Sequence, residues 1–183
     1  ETEPVTHVSD WFELHDAMLQ IKPFQKPHMP IAVASAASPA GVAVAGKHGV
    51  AVLSASVPAD IRGQPALQHL WQIAEDAAAE HGKTVRREDW RLSIPVHLAE
   101  SKKQAMDEAR MGAGRQLREY TEVLLGPNPV AKGPVEEVID RMVDAGSWIV
   151  GTPDDCIAAI KRLDERSGGF GTFLVQHHEW VSR

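Results

Sequence analysis

The chain has 183 residues, of which 43% are hydrophobic and 24% are charged, and its formal net charge is −6. This composition is typical of a folded domain with a substantial core and argues against disorder. Because acidic and basic residues are interspersed and acids are in excess, we expect no nucleic-acid partner and no binding to an anionic membrane surface.

Other features of the composition bear on the compartment. The single cysteine, Cys156, excludes an internal disulfide and is typical of a reducing environment. No apolar run reaches the roughly 18 residues that a membrane-spanning helix needs. The opening Glu-Thr-Glu-Pro does not resemble a signal peptide. We therefore predict a cytoplasmic protein that does not contact a membrane.

In chain order, the hydrophobic pattern switches repeatedly between helical and strand periodicity. Helices are predicted where apolar residues recur at three- and four-residue spacing, over residues 9–19, 39–47, 65–81, 134–144 and 153–166, with a further long helix beginning at Ser101. Three prolines make residues 22–30 an extended linker. Strands are predicted where short apolar runs lie between turns, at residues 31–36, 50–54, 90–98 and 170–177.

Capping residues and apolar faces add detail to the helices. Gly49 stands where a left-handed C-cap is expected, and Thr152 with Asp155 marks the start of a helix. The inner side of the long helix is predicted to carry Ala105, Ala109, Leu117 and Leu124, with interruptions at Gly112 and Gly114. The buried face of the 153–166 helix is predicted to carry Ile157, Ala158, Ile160 and Leu163.

Strands that alternate with helices predict βαβ units and an α/β fold with a mostly parallel sheet. The four apolar strands show little alternation, which agrees with burial on both faces. Four such strands form either a small doubly wound sheet or half of an eight-stranded barrel, whose usual length is about 250 residues. The spacing of the elements does not choose between these two architectures.

Several stretches of the sequence carry a family resemblance. They are Trp11-Phe12 with the run PFQKPHMP at 23–30, Ala-Ser-Pro at 37–39 with AGKHG at 45–49, and GTPDD at 151–155 with GGFG at 168–171. Through these motifs the chain resembles the bacterial-luciferase-like, flavin-dependent monooxygenase superfamily, in the branch often labelled limonene 1,2-monooxygenase-like. The resemblance covers nearly the whole chain but only the second half of the family's sequence.

The resemblance implies a (β/α)8 TIM barrel of which this chain supplies the C-terminal half. The four predicted strands then correspond to strands five to eight, with helices outside, in a single partial domain over residues 1–183. In the family, part of the surface beneath the flavin ring comes from the first half of the barrel, which this sequence does not contain.

The resemblance also gives the small residues after the first sheet strand a use. In relatives, the turn after strand five offers backbone amides to the phosphate of FMN, and this turn corresponds here to Ala37 and Ser38, with Gly41 in the first helical turn. A helix N-terminus carries unpaired amides and a partial positive charge, so it suits an anion. The alternative is that Ser38 only caps the helix and the alanines only pack against the sheet.

Three histidines are candidates for acid-base chemistry. His97 lies near the end of one predicted strand and His177 and His178 end another, and in a TIM barrel the C-terminal strand ends carry the chemistry. Because strand residues alternate, only one of His177 and His178 can face the interior. The alternative is that these histidines are half-solvated structural residues. No metal site is predicted, since no helical His pair accompanies them and Cys156 is alone.

The function implied by the resemblance is that of a two-component monooxygenase. Reduced FMN would be supplied by a separate flavin reductase, and the substrate would be a small apolar organic molecule. One alternative is an F420-dependent oxidoreductase that transfers hydride. Another is a catalytically inert half-barrel, whose unpaired sheet edges and exposed apolar face predict self-association into a homo-oligomer.

Overall fold

A computed structural model describes residues 3–26, 28–36, 38–55, 66–128 and 131–181. The chain divides into two units, Glu1–Ile31 and Ala32–Arg183. No helix in the described ranges is long and apolar enough to cross a membrane.

The first unit contains a β-hairpin where the sequence predicts a helix. Strands β1 (Val5–Val8) and β2 (Glu13–Ala17) pair antiparallel. The connecting turn is closed by Ser9, whose hydroxyl accepts from the Phe12 amide at 3.1 Å and donates to the Phe12 carbonyl at 2.9 Å. The 9–19 helix prediction is therefore wrong. Trp11, which helped to suggest it, is 82% exposed and belongs to no buried face. The described residues of the 22–30 linker form neither helix nor strand, as predicted.

The second unit is built on a parallel sheet. Its strands are β3 (Ala32–Ser35), β4 (Ala51–Ser54), β5 (Arg91–Leu98), β6 (Ile149–Gly151) and β7 (Thr172–Gln176). β3 pairs with β4, β4 with β5, and β5 with β7, all parallel. The four predicted strands are thus neighbours in sequence order, as consecutive barrel strands are. The short β6, which pairs with Val96–Leu98 of β5, was not predicted.

Helices alternate with these strands. They are α1 (Pro39–His48), α2 (Ala66–Glu80), α3 (Lys102–Arg115), α4 (Glu122–Leu125), α5 (Val138–Asp144) and α6 (Pro153–Ser167), with 3-10 turns at Arg87–Asp89 and Val135–Glu137 and a π-helical turn at Gln116–Thr121. Gly49 ends α1 in the left-handed conformation (φ 63°), as predicted.

Some details of the predicted helices are wrong. Gly112 and Gly114 do not interrupt α3, and the helix instead passes into the π-helical turn after Arg115. Leu124 is 63% exposed and Ile157 is 51% exposed, so neither belongs to a buried face. Ala158 is also exposed, because α6 turns Leu163 and Ser167 toward the core instead.

Two apolar clusters stabilise the second unit. The first joins β4 and β5 to α1, α2 and α6 and contains Trp71 and Trp90, whose rings stack at 4.8 Å between centroids. The second joins α3 and α5 to the strand β6 and contains Trp148 and Trp180. Strand β5 lies at the centre of the sheet, while β3 and β7 each pair on one side only within the described structure.

The start of α6 provides a test of a local stabilising motif. Asp155 accepts from the Thr152 amide and hydroxyl, both at 2.9 Å, and its own amide donates to the Thr152 hydroxyl at 3.2 Å. These bonds, the backbone one foremost, lower the pKa of Asp155 below its usual value. Asp155→Ala should therefore lower the free energy of unfolding by about 1 kcal/mol at neutral pH.

The pH dependence follows from the sign of this shift. A carboxyl whose pKa is lower in the folded state stabilises the fold above the unfolded pKa of about 3.9, and that stabilisation disappears as the pH falls through the folded value. The difference between wild type and Asp155→Ala in urea unfolding should thus shrink on acidification below about pH 4. Asp154→Ala, at the neighbouring exposed position, is the control. An equal loss in both variants would contradict the capping role.

Candidate functional site

The carboxyl ends of the parallel strands bring most of the predicted site residues to one edge of the sheet. Ser38 follows β3, His97 is the second-last residue of β5, and His177 and His178 follow β7. Because the strands are parallel, these ends share a direction. Ala37 lies outside the described residues. In the ranges that the structure describes, no three His, Cys, Asp or Glu side chains group as metal ligands.

Ser38 is the N-cap of α1. Its backbone is extended (φ −85°, ψ 130°), and its hydroxyl accepts from the Ala40 amide at 3.2 Å. The Ser35 hydroxyl donates to the Ser38 carbonyl at 2.8 Å, which ties the turn back to β3. The first turn of α1 contains no acidic residue, so no carboxylate of that turn offsets the positive end of the helix.

Gly41 lets α1 lie directly on β3. A β-carbon at this position would lie 2.9 Å from the Ser35 β-carbon and 3.2 Å from the Ala34 carbonyl oxygen. On α2, the Ala74 carbonyl oxygen would lie 2.2 Å from a β-carbon at Gly46. The small residues of α1 are therefore required by close packing on two neighbours. Whatever Gly41 contributes to a ligand, it first sets the position of the helix N-terminus.

His97 forms a hydrogen bond to a carboxylate. Its Nε2 lies 3.0 Å from Glu108 Oε2 on α3, and the histidine side chain is 18% exposed. Glu108 also accepts from the side-chain amide of Gln104 at 2.6 Å, and this bond first, then His97, lowers the pKa of Glu108. Because an ionised carboxylate only accepts hydrogen bonds, His97 must carry its hydrogen on Nε2.

The structure separates the two adjacent histidines, which the sequence ranks equally. His177 is exposed, whereas His178 is partly buried and stacks on Trp180 with 5.6 Å between ring centroids. Its Nδ1 lies 2.7 Å from the side-chain amide nitrogen of Gln116. Burial first, and the neighbouring His177 second, lower the pKa of His178 below its ordinary value, so its neutral form is favoured.

Three residues at this edge were missed in the sequence analysis. Gln176 donates from its side chain to the Ser93 carbonyl at 3.2 Å and to the Ala55 carbonyl at 3.4 Å, and so links β7 to β5 and to the residue that follows β4. Its signal was a lone amide at the end of the apolar run Thr-Phe-Leu-Val. Gln116 and Trp180 gave no local signal, since their partners lie more than 60 positions away.

These groups can carry out two kinds of chemistry. The N-terminus of α1, with the Ser38 hydroxyl and no acidic residue in its first turn, suits an anionic group such as a phosphate. The histidines provide an imidazole that is paired with a carboxylate, His97, and an imidazole that favours the neutral state, His178. An imidazole can act as a general acid or base.

Comparisons with known proteins agree on one family. The family model described as "Luciferase-like monooxygenase" matches residues 1–169. The chain is 44% identical over 189 residues to 4-hydroxyprotoasukamycin monooxygenase of Streptomyces nodosus subsp. asukaensis, covering 99% of this chain and 49% of that protein. It is 41% identical over 180 residues to limonene 1,2-monooxygenase of Rhodococcus erythropolis, covering 98% and 45%.

A solved structure shows the same fold. The oxygenating constituent of 3,6-diketocamphane monooxygenase from Pseudomonas putida, solved in complex with FMN, superimposes with a TM-score of 0.68 at 22% identity over 98% of this chain and 53% of that one. Such neighbours are luciferase-like TIM-barrel proteins, which confirms the predicted α/β fold with a parallel sheet and agrees with a partial barrel. The chain spans about half the length of the curated relatives it matches.

Proposed function

The chain belongs to the luciferase-like monooxygenase family, and from this membership we propose that it is part of a flavin-dependent, two-component monooxygenase that oxygenates a small apolar organic molecule. One observation carries the proposal: identity of 41–44% to two monooxygenases along almost the whole chain. The name of one of them specifies limonene, a small hydrocarbon, as its substrate. The separate flavin reductase is part of the proposal.

FMN is the proposed cofactor, and its phosphate is proposed to bind at the N-terminus of α1. The Ser38 hydroxyl and the amides of the first turn would hold the phosphate, Gly41 sets how closely the helix approaches β3, and Ala37 is assigned from the family resemblance alone. The absence of an acid from the first turn and the tie between Ser35 and Ser38 support this assignment. When bound, reduced flavin supplies the electrons with which oxygen is activated.

His97, His177 and His178 are the proposed acid-base residues. The Glu108 carboxylate accepts a hydrogen bond from His97 and so orients its imidazole with a hydrogen on Nε2. His178, partly buried and with a lowered pKa, is suited to remain neutral. His177 is exposed and is the least constrained of the three.

The phosphate assignment can be tested with Ser38→Ala. Loss of a hydrogen bond to a charged group costs about 1.5–3 kcal/mol, so FMN affinity should fall roughly 10- to 100-fold while riboflavin, which lacks the phosphate, binds unchanged. Fluorescence titration of the intact protein measures both ligands.

Ser101→Ala is the matched control for this experiment. Ser101 caps α3 in the same way, accepting from the Gln104 amide at 3.2 Å, so its loss costs similar helix stability. FMN affinity should be preserved in this variant. If both variants weaken FMN equally, or if riboflavin weakens in parallel with FMN, Ser38 acts only as a helix cap. The same titration with F420 tests the alternative cofactor.

A homo-oligomer is proposed from the sheet edges. β3 and β7 each pair on one side only within the described sheet, and Val175 on β7 is 59% exposed. Unpaired strand edges and exposed apolar residues favour association. Light scattering of the purified chain, together with its flavin absorbance, distinguishes a flavin-binding protein from an inert half-barrel that assembles without cofactor.

A further inference from the structure

One side-chain amide joins the C-terminal segment to the end of α3. Gln116, the first residue of the π-helical turn, accepts from the indole Nε1 of Trp180 through its Oε1 and places its Nε2 2.7 Å from His178 Nδ1. The Trp180 amide in turn donates to the His178 carbonyl at 2.8 Å. The three side chains form a chain of contacts in the order indole, amide, imidazole.

The indole fixes which group donates and which accepts in this series of contacts. An indole N–H is a donor only, so the Gln116 atom that faces it must be the oxygen. The amide nitrogen then faces His178, and it has donors but no acceptor. His178 Nδ1 must therefore accept, which leaves the hydrogen of the neutral ring on Nε2. A hydrogen on Nδ1 would point toward the amide hydrogens of Gln116.

Packing holds the indole in place. Trp180 is 5% exposed and lies against Trp148 with 4.7 Å between ring centroids. Its backbone approaches α3 so closely that a β-carbon at Gly112 would lie 1.8 Å from the Trp180 carbonyl oxygen. Single π-helical turns such as the one that Gln116 begins occur frequently at functional sites. The amide thus contacts a fixed group on one side and a candidate catalytic group on the other.

We propose that Gln116 and Trp180 are positioning residues that hold His178 as a neutral imidazole with its hydrogen on Nε2, so that it presents a hydrogen-bond donor there. His178 as part of the reaction rests on the proposed function. The tautomer itself follows from contacts within this chain. In a site that handles activated oxygen, an Nε2–H group would donate to an oxygen atom and would not abstract a proton.

Long-range ¹H–¹⁵N spectra of the intact, cofactor-free, ¹⁵N-labelled protein test the proposal. His178 signals are assigned by their loss in His178→Asn. We expect an unprotonated Nδ1 and a protonated Nε2 for His178, and averaged tautomers for the exposed His177. A protonated Nδ1, or averaging for His178 as well, would overturn the proposal.

Two variants test the role of the amide. In Gln116→Glu a carboxylate accepts from both neighbours, so the Nδ1 signal should move to the protonated position, whereas Gln68→Glu, at an exposed site on α2, should leave it unmoved. Trp180→Phe keeps the aromatic packing but frees the amide to rotate, so tautomer averaging should appear. An unchanged His178 in both Gln116→Glu and Trp180→Phe would refute the positioning role.

The same variants separate this inference from the proposed function. With reductase and substrate supplied, Gln116→Glu should lower kcat at least 10-fold with little change in KM. The reason is that the substitution changes which nitrogen of the His178 ring carries the hydrogen, while the ring keeps its position. A fixed tautomer in a protein that lacks monooxygenase activity would leave the inference standing and remove the proposed function. Activity with a freely averaging His178 would do the reverse.

Discussion

Gly46→Ala should lower the free energy of unfolding by about 2 kcal/mol, although the same change usually stabilises a helix by about 0.5–1 kcal/mol. Its new β-carbon would lie 2.2 Å from the Ala74 carbonyl oxygen and 3.0 Å from the Ala78 amide nitrogen. Both atoms belong to the backbone of α2, so no side chain can rotate away. The two helices must separate, and the cluster that contains Val42, Leu67 and Leu70 loses packing.

Urea unfolding gives the sign of this effect directly. Lys47→Ala is the control, because Lys47 is the next residue of α1 and is exposed, and surface changes usually stay within about 0.5 kcal/mol. A Gly46→Ala protein that is more stable than wild type would show that helix propensity outweighs contact between α1 and α2. Such a result would contradict the packing role argued for this glycine.

Arg87→Met should also lower the free energy of unfolding by about 2 kcal/mol, for a different reason. One guanidinium nitrogen of Arg87 donates to the Ser167 carbonyl at 2.6 Å and to the Gly169 carbonyl at 3.1 Å, where α6 ends. The same group lies 5.1 Å from the ring centroid of Trp71 and 5.6 Å from that of Trp90. A single side chain thus satisfies a helix end and covers the stacked indoles.

Arg86 offers a matched control in the adjacent position. It forms ion pairs with Glu88 at 3.0 Å and Asp89 at 2.6 Å, but all three side chains are well exposed. Exposed pairs contribute about 0–1 kcal/mol, so Arg86→Met should change unfolding far less than Arg87→Met. Arg87→Lys should fall between wild type and Arg87→Met, because an ammonium keeps the charge but not the planar contact with the rings. Equal losses in Arg86→Met and Arg87→Met would contradict the assignment.

The fold could be predicted from the sequence where local pattern and burial agree. β3, β4, β5 and β7 are apolar runs between helices, and the caps at Ser38, Gly49 and Thr152 are set by residues next to them. The helix prediction for residues 9–19 failed because their apolar side chains lie on an exposed hairpin, where helical spacing carries no packing information. Strand β6 was not predicted because three residues are too few to show a hydrophobic period.

The site could be predicted only for those residues that the local sequence pattern identifies. Strand ends located the histidines, and the small residues located the start of α1. The different environments of His177 and His178 depend on Gln116, which lies 62 positions from His178. Likewise, the packing role of Gly41 is visible only when Ser35 and Ala34 are placed against it. Contacts of this range are set by tertiary structure, and neither propensity nor periodicity reports them.

Two strands that pair on one side only, β3 and β7, affect how the protein has to be handled. β3 reads Ala-Val-Ala-Ser and β7 reads Thr-Phe-Leu-Val-Gln, and neither contains a gatekeeper lysine or proline or a bulge in its pairing. Proteins whose strand edges face water permanently use such devices to prevent templated growth of the sheet by a second molecule. These two edges are built like interior strands. When these edges are unpaired at high protein concentration, we expect aggregation through pairing of edge strands from different molecules.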